Sequence, residues 1–310
     1  MKILFMGTPE FGATILEKIL EKHEVVLVVT QPDKMVGRKR EIIFSPVKEV
    51  ALKYNLNLIQ PVKIKESEEE ILKYDFDIIV TAAFGQFVGS RLLNHPKYKA
   101  INVHGSLLPM YRGGAPIQRS IINGESKTGI TIMYMAKKMD AGDILMQKEL
   151  VIDTEDTSDS LFKKMASLGA SMINNCLEKI ENGNITSIKQ DENKATYAYN
   201  LTKEDELIDF TKTAKEVFNQ IRGLSSNPGA YFTLDGIVYK MYSSIISNIV
   251  HNQEPGVIIE VTKSTFTVSC GNNSSITFDE IKPEGKNIMK VKEFLNGKGK
   301  NIIILNRRVI

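Results

Sequence analysis

In AINVHGSLLPMYRGGAP, residues 100–116, an apolar run passes straight into a loop rich in turn residues. Ala100, Ile101 and Val103 are apolar, while Asn102 and His104 are polar. In a strand, residues two apart share a face. Asn102 and His104 therefore point to one side, and Ile101 and Val103 point into a core. The Ser106-Leu107-Leu108-Pro109 turn and the Gly113-Gly114 pair follow at once, which predicts a tightly shaped loop at the strand end. A carboxamide and an imidazole presented together there suit oxyanion stabilisation combined with proton transfer.

Upstream, KILFM (2–6), VVLVVT (25–30) and DIIVTAA (77–83) repeat the Ile- and Val-rich pattern. Near-continuous apolarity marks strands buried on both faces, as in a parallel sheet. Thr8-Pro9 and Ser45-Pro46 read as capped helix starts between them. The alternation predicts a Rossmann-like, doubly wound, mostly parallel α/β sheet, with ligands at the carboxyl ends of its strands. His104 falls at such an end. Gly7-Thr8-Pro9-Glu10-Phe11-Gly12 lacks the spacing of a dinucleotide fingerprint, and reads as a tight strand-to-helix turn.

Residues 128–151 give two more strands, and 157–182 one long amphipathic helix. Polar, turn-rich sequence follows, and helix 211–222 precedes short β runs with a hairpin signal at Asp235-Gly236. The expected organisation is a catalytic domain over 1–189, a linker over 190–206, and a smaller β-barrel or sandwich over 207–310.

Composition narrows the classes. Of 310 residues, 42% are hydrophobic and 25% charged, as in ordinary globular proteins. No apolar run approaches the ~20 residues that span a bilayer, and the short run in MKILFMG is expected to be a first core strand. Cys176 and Cys270 lack metal or redox spacing, and the histidines at 23, 95, 104 and 251 are scattered. No metal is expected, and the chain is expected in a reducing cytoplasm. From residue 207 onward, 13 Lys/Arg face 9 Asp/Glu, while the first 206 residues carry 27 against 28. A modestly basic C-terminal part is compatible with a nucleic-acid partner.

Asn102-x-His104 with Ser106–Pro109, Arg112-Gly113-Gly114-Ala115-Pro116-Ile117-Gln118 and Met139-Asp140-Ala141-Gly142-Asp143 resembles the 10-formyltetrahydrofolate-dependent formyltransferases, along nearly the whole chain. The resemblance implies a catalytic trio of Asn102, His104 and Asp140. Asp143 stands near enough in sequence to take part. It further implies tetrahydrofolate binding by Ser106, Leu107, Leu108 and Pro109, and a pterin pocket at Phe84, Gly85, Gln86, Phe87 and Val88. A basic segment within 31–48, with Lys34, Arg38, Lys39 and Arg40, reads as an RNA-contacting loop. Family resemblance makes residues 207–310 an OB-like barrel. The implied reaction moves the formyl group of 10-formyltetrahydrofolate to methionine carried on initiator tRNA, in a chain expected to be a monomer. Family members acting on glycinamide ribonucleotide or amino sugars share the trio but need no basic RNA arm.

Overall fold

Buried Ile and Val runs become the central strands. The structure, a computed structural model, describes residues 1–36 and 41–310. Its strands begin with β1 (Lys2–Gly7), β2 (Glu24–Val29), β3 (Lys34–Val36), β4 (Glu41–Ile43) and β5 (Leu58–Ile59). They continue with β6 (Ile78–Ala82), β7 (Ala100–His104), β8 (Lys127–Tyr134) and β9 (Ile144–Val151). Seven form one sheet in the order β5-β2-β1-β6-β7-β8-β9. β5 to β7 are parallel, and β8 and β9 add an antiparallel margin. The sheet belongs to a compact unit made of 1–116, 127–151 and 162–199; the other unit is 117–126, 152–161 and 200–310.

The expected Rossmann-like sheet is present. Helix Glu10–Leu20 buries Ile15, Leu16 and Ile19. Helix Pro46–Lys53 starts as expected, with the Ser45 hydroxyl accepting from the Lys48 amide at 3.1 Å. Thr8 does not cap: Pro9 occupies the cap position, and the Thr8 hydroxyl donates instead to the Phe84 carbonyl at 3.3 Å. An added Cβ on Gly7 or Gly12 would lie 2.8 or 2.9 Å from the Ala82 carbonyl oxygen. These glycines serve close helix-on-sheet packing, which matches the tight-turn expectation.

Residues 31–48 are not one long loop. β3 and β4 pair as an antiparallel ribbon that exposes Lys34, Met35, Ile42 and Ile43. Lys48 lies in the following helix and binds Asp33 at 2.5 Å. Arg38, Lys39 and Arg40 lie outside the described residues.

In the second unit, β10 (Ala230–Leu234), β11 (Ile237–Ser247), β12 (Ile258–Val261), β13 (Phe266–Ser269), β14 (Ser275–Pro283) and β15 (Met289–Lys290) are antiparallel. The order is β10-β11-β14-β13-β12, with β15 beside β14. Phe232, Phe266, Phe278 and Tyr239 fill its core. Asp235 and Gly236 take φ of 53° and 75°, as a two-residue hairpin requires. The chain end covers both sheet edges. Ile310 exchanges backbone bonds with Thr233 of β10, while Asn306, Arg307 and Val309 bond to Ile258 and Gly256 at β12. Unpaired edges invite association, and this tail pairs part of each. The helix expected over 211–222 runs Ala214–Gly223, because Thr213 and Glu216 form a capping box at its start.

Both thiols are buried, and burial pushes each up to about 12. A thiolate is the reactive form. The folded protein should therefore resist iodoacetamide at pH 8, while denatured chain takes up two equivalents; rapid labelling of either thiol in the folded state would contradict this packing.

Candidate active site

Parallel strands end side by side. Gly7 pairs Ala82 across β1 and β6, and Thr81 pairs Asn102 across β6 and β7. The loops after β6 and β7 thus open on one edge of the sheet. Ile101 and Val103 are buried in the core, and Asn102 and His104 share the other face.

Asn102 is fixed from the neighbouring strand. The Thr81 hydroxyl donates to Asn102 Oδ1 at 2.8 Å, so the carboxamide presents its NH2 end away from β6. Nothing in the sequence pattern pointed to Thr81, which looked like one more residue of an apolar strand. His104 is 5% exposed. Its Nε2 lies 2.9 Å from the Tyr111 carbonyl oxygen. A carbonyl only accepts, so Nε2 carries a proton and Nδ1 is the nitrogen left for chemistry. His104 Nδ1 faces Asp140 Oδ2 at 3.7 Å.

The structure brings Asp140, and not Asp143, to the imidazole. Asp140 Oδ2 also accepts the Gly113 amide at 2.8 Å, whereas the Asp143 carboxylate meets the Ser187 hydroxyl at 3.4 Å. Ala83, Tyr111 and Asp140 take positive φ of 49°, 59° and 50°. Such conformations are disfavoured for residues with a Cβ and persist where surrounding bonds over-determine them.

Loop 106–109 is wired to the sheet. The Thr131 hydroxyl donates to the Ser106 carbonyl at 2.6 Å and accepts the Leu108 amide at 3.1 Å. Gln147 Nε2 donates to the Leu108 carbonyl at 2.9 Å, and the Ser106 hydroxyl donates to the Met110 carbonyl at 2.7 Å. The backbone groups of Leu108 are thereby occupied, leaving half-buried Leu107 and Pro109 as the accessible residues of the turn. After β6, Phe84 and Val88 are buried, Phe87 is exposed, and Gly85 takes a φ of 81°. Gln86 braces that loop: its Oε1 accepts the Ile64 amide at 2.7 Å and its Nε2 donates to the Pro61 carbonyl at 3.2 Å.

Behind Asp140 lies a buried network. Arg112 is fully buried, and its guanidinium binds Gln190 Oε1 at 2.7 Å and Glu192 Oε1 at 2.9 Å. Glu192 also pairs with Lys138 at 2.5 Å. Hydrogen bonds from Arg112 and then Lys138 hold the Glu192 carboxyl down at about 2. The segment around these partners runs beside the loop after β7: the Arg112 amide bonds to the Thr196 carbonyl at 2.9 Å, and the Ala198 amide to the Arg112 carbonyl at 2.7 Å. Among the described residues, no group of three or more His, Cys, Asp or Glu is placed to hold a metal ion.

The arrangement supplies a hydrogen-bond donor, a buried imidazole and a carboxylate at the end of an α/β sheet, as an acyl or formyl transfer needs. A family profile described as Formyl transferase matches residues 1–177, and one described as Formyl transferase, C-terminal domain, matches 200–299. This chain belongs to the formyl transferase family. It is 47% identical over 305 residues to methionyl-tRNA formyltransferase of Staphylococcus aureus (strain bovine RF122 / ET3-1), covering 98% of each chain. Among solved structures, an N-formyltransferase from Helicobacter canadensis, in complex with folinic acid and dTDP-3-aminofucose, shares the fold at a TM-score of 0.69. Its identity is 22%, with 90% of this chain and 98% of that chain covered. HypX from Aquifex aeolicus, in complex with tetrahydrofolic acid, has a TM-score of 0.67 at 15% identity, covering 97% of this chain and 48% of that one.

Proposed function

We propose that this protein transfers the formyl group of 10-formyltetrahydrofolate to the α-amino group of methionine esterified to initiator tRNA. The observation that carries the proposal is the convergence of Asn102, His104 and Asp140 in a chain 47% identical, over 98% of its length, to a methionyl-tRNA formyltransferase.

The reaction joins the methionine nitrogen to the formyl carbon and breaks the bond from that carbon to N10 of the folate. One proton leaves the amine, and one is gained by N10. Asn102, its oxygen engaged by Thr81, donates an N–H to the formyl oxygen as negative charge builds there. His104 Nδ1 handles the proton, because Nε2 is committed to the Tyr111 carbonyl. Asp140, its Oδ2 3.7 Å from His104 Nδ1, takes part in deprotonating the amine.

The folate is assigned to the loops after β6 and β7, where half-buried Leu107 and Pro109 are accessible, Phe84 and Val88 are buried, and Gly85 takes a φ of 81°. Ser106, Leu108, Gln86 and Phe87 complete the assignment, with Ser106, Leu108 and Gln86 shaping the loops. Lys34, Arg38, Lys39 and Arg40 contact the tRNA backbone, and the basic barrel domain from 207 onward adds electrostatic attraction. Division into a catalytic part over 1–189, a linker over 190–206 and a barrel over 207–310 follows the same assignment. The protein acts as a monomer in the cytoplasm, where its acceptor is made; among the described residues, no helix is long and apolar enough to cross a membrane.

The test is transfer of labelled formyl from 10-formyltetrahydrofolate with methionyl-initiator-tRNA, glycinamide ribonucleotide and an amino-sugar nucleotide offered in parallel. Label on the tRNA alone is expected. Label on a small amine with none on tRNA would overturn the acceptor and reassign the ribbon and barrel.

A further inference from the structure

Gln190 sits in the segment that sequence composition marked as a linker, yet it is 5% exposed and all four hydrogen-bonding capacities of its carboxamide are in use. Its Nε2 donates to the Asp140 carbonyl at 2.8 Å and to the Gly142 carbonyl at 2.7 Å. Its Oε1 accepts from Arg112 Nη2 at 2.7 Å and Nε at 3.1 Å. One side chain therefore ties the buried guanidinium to the backbone that carries Asp140.

Asp140 needs such a tie. Its φ of 50° is an unfavourable conformation for an L-residue, so the loop relaxes unless something grips it. The grip falls on the carbonyl of Asp140 itself and on that of Gly142, two residues on. Gly142 can stay close only because it has no side chain: an added Cβ would lie 1.8 Å from the Tyr134 carbonyl oxygen. Where that backbone lies decides whether the carboxylate reaches the Gly113 amide at 2.8 Å and faces His104 Nδ1 at 3.7 Å.

We infer that Gln190 is a positioning residue for formyl transfer, acting by gripping the Asp140 backbone directly in its left-handed conformation while Arg112 anchors its other end. The inference rests on the proposed role of Asp140 in that transfer. Displacing a reacting group by about 1 Å lowers rates by about a hundredfold. Gln190→Met keeps the volume and removes the bonds. It should lower kcat about ten- to a hundredfold while KM for each substrate stays within about threefold.

A second variant separates positioning from support of Arg112. Gln190→Glu strengthens the pairing with the guanidinium but replaces the NH2 donor by a carboxylate oxygen facing two carbonyls. Positioning predicts that its kcat also falls by at least about tenfold, with the helical content of the folded protein retained. Full activity in Gln190→Glu would overturn the inference and leave Gln190 as a partner of Arg112 only. A readout independent of turnover is the Gly113 amide proton shift, which reports the Asp140 carboxylate directly. In Gln190→Met and Gln190→Glu it should move toward its position in Asp140→Ala; an unmoved signal would also overturn the inference. Rates in the Asp140→Ala background complete the experiment. If Asp140→Ala is slow and adding Gln190→Met slows it no further, the two act together. If Asp140→Ala is slow and Gln190→Met alone is fully active, positioning fails while the proposed site stands. If Asp140→Ala is itself fully active, the assigned role of Asp140 fails, and the inference with it.

Discussion

His104→Ala is expected to lower kcat/KM for formyl transfer by about two to four orders of magnitude, the range for loss of a positioned acid–base group. The two nitrogens of the imidazole are differentiated by their partners. Nε2 donates to the Tyr111 carbonyl at 2.9 Å, and Nδ1 faces Asp140 Oδ2 at 3.7 Å. Alanine removes both and offers water no equivalent donor–acceptor pair in the same place. A loss smaller than about tenfold would mean that the proton moves by another route. His104→Gln refines the result, since a carboxamide can still donate to the Tyr111 carbonyl but cannot take up a proton. It should leave the rate as low as in His104→Ala.

Arg112→Ala is expected to lower folding stability by about 3–5 kcal/mol, combining a lost large buried side chain with stranded polar partners. Arg112 is fully buried, so its stem contributes packing as well as charge. Glu192 is 51% exposed and can turn to water, so little of the loss arises there. Most falls on Gln190 Oε1, which is left without its two donors, and on the cavity left by the missing side chain. The chain contains no Trp, so urea unfolding followed by far-UV circular dichroism is the suitable measurement. A change below about 1 kcal/mol would show that the loop repacks around the vacancy.

The alternation of buried Ile and Val runs made the α/β sheet legible, because strands covered on both faces must be apolar throughout. Period two placed Asn102 and His104 together, and the structure keeps them on one face with Ile101 and Val103 opposite. Helix starts were legible only in part. Ser45 caps as its residue type predicts, whereas the Thr8 hydroxyl crosses to the Phe84 carbonyl, a partner 76 residues away. The ribbon of β3 and β4 escaped notice because its three-residue strands are too short for a periodic signal.

Sequence alone determined the alternation of the long buried strands with helices and the face shared by Asn102 and His104, since these depend on neighbours a few positions apart. Tertiary structure alone decided the rest. It brought Asp140 and not Asp143 to the imidazole, left Nδ1 of His104 facing that carboxylate, engaged the Asn102 oxygen with Thr81, and bonded Gln190, from an apparent linker, to the Asp140 carbonyl. Apart from the bond between His104 and Tyr111, seven positions on, these contacts join residues 21 to 50 positions apart in the chain. No local periodicity encodes such partners; packing brings them together, and hydrogen-bond geometry then fixes which atoms meet.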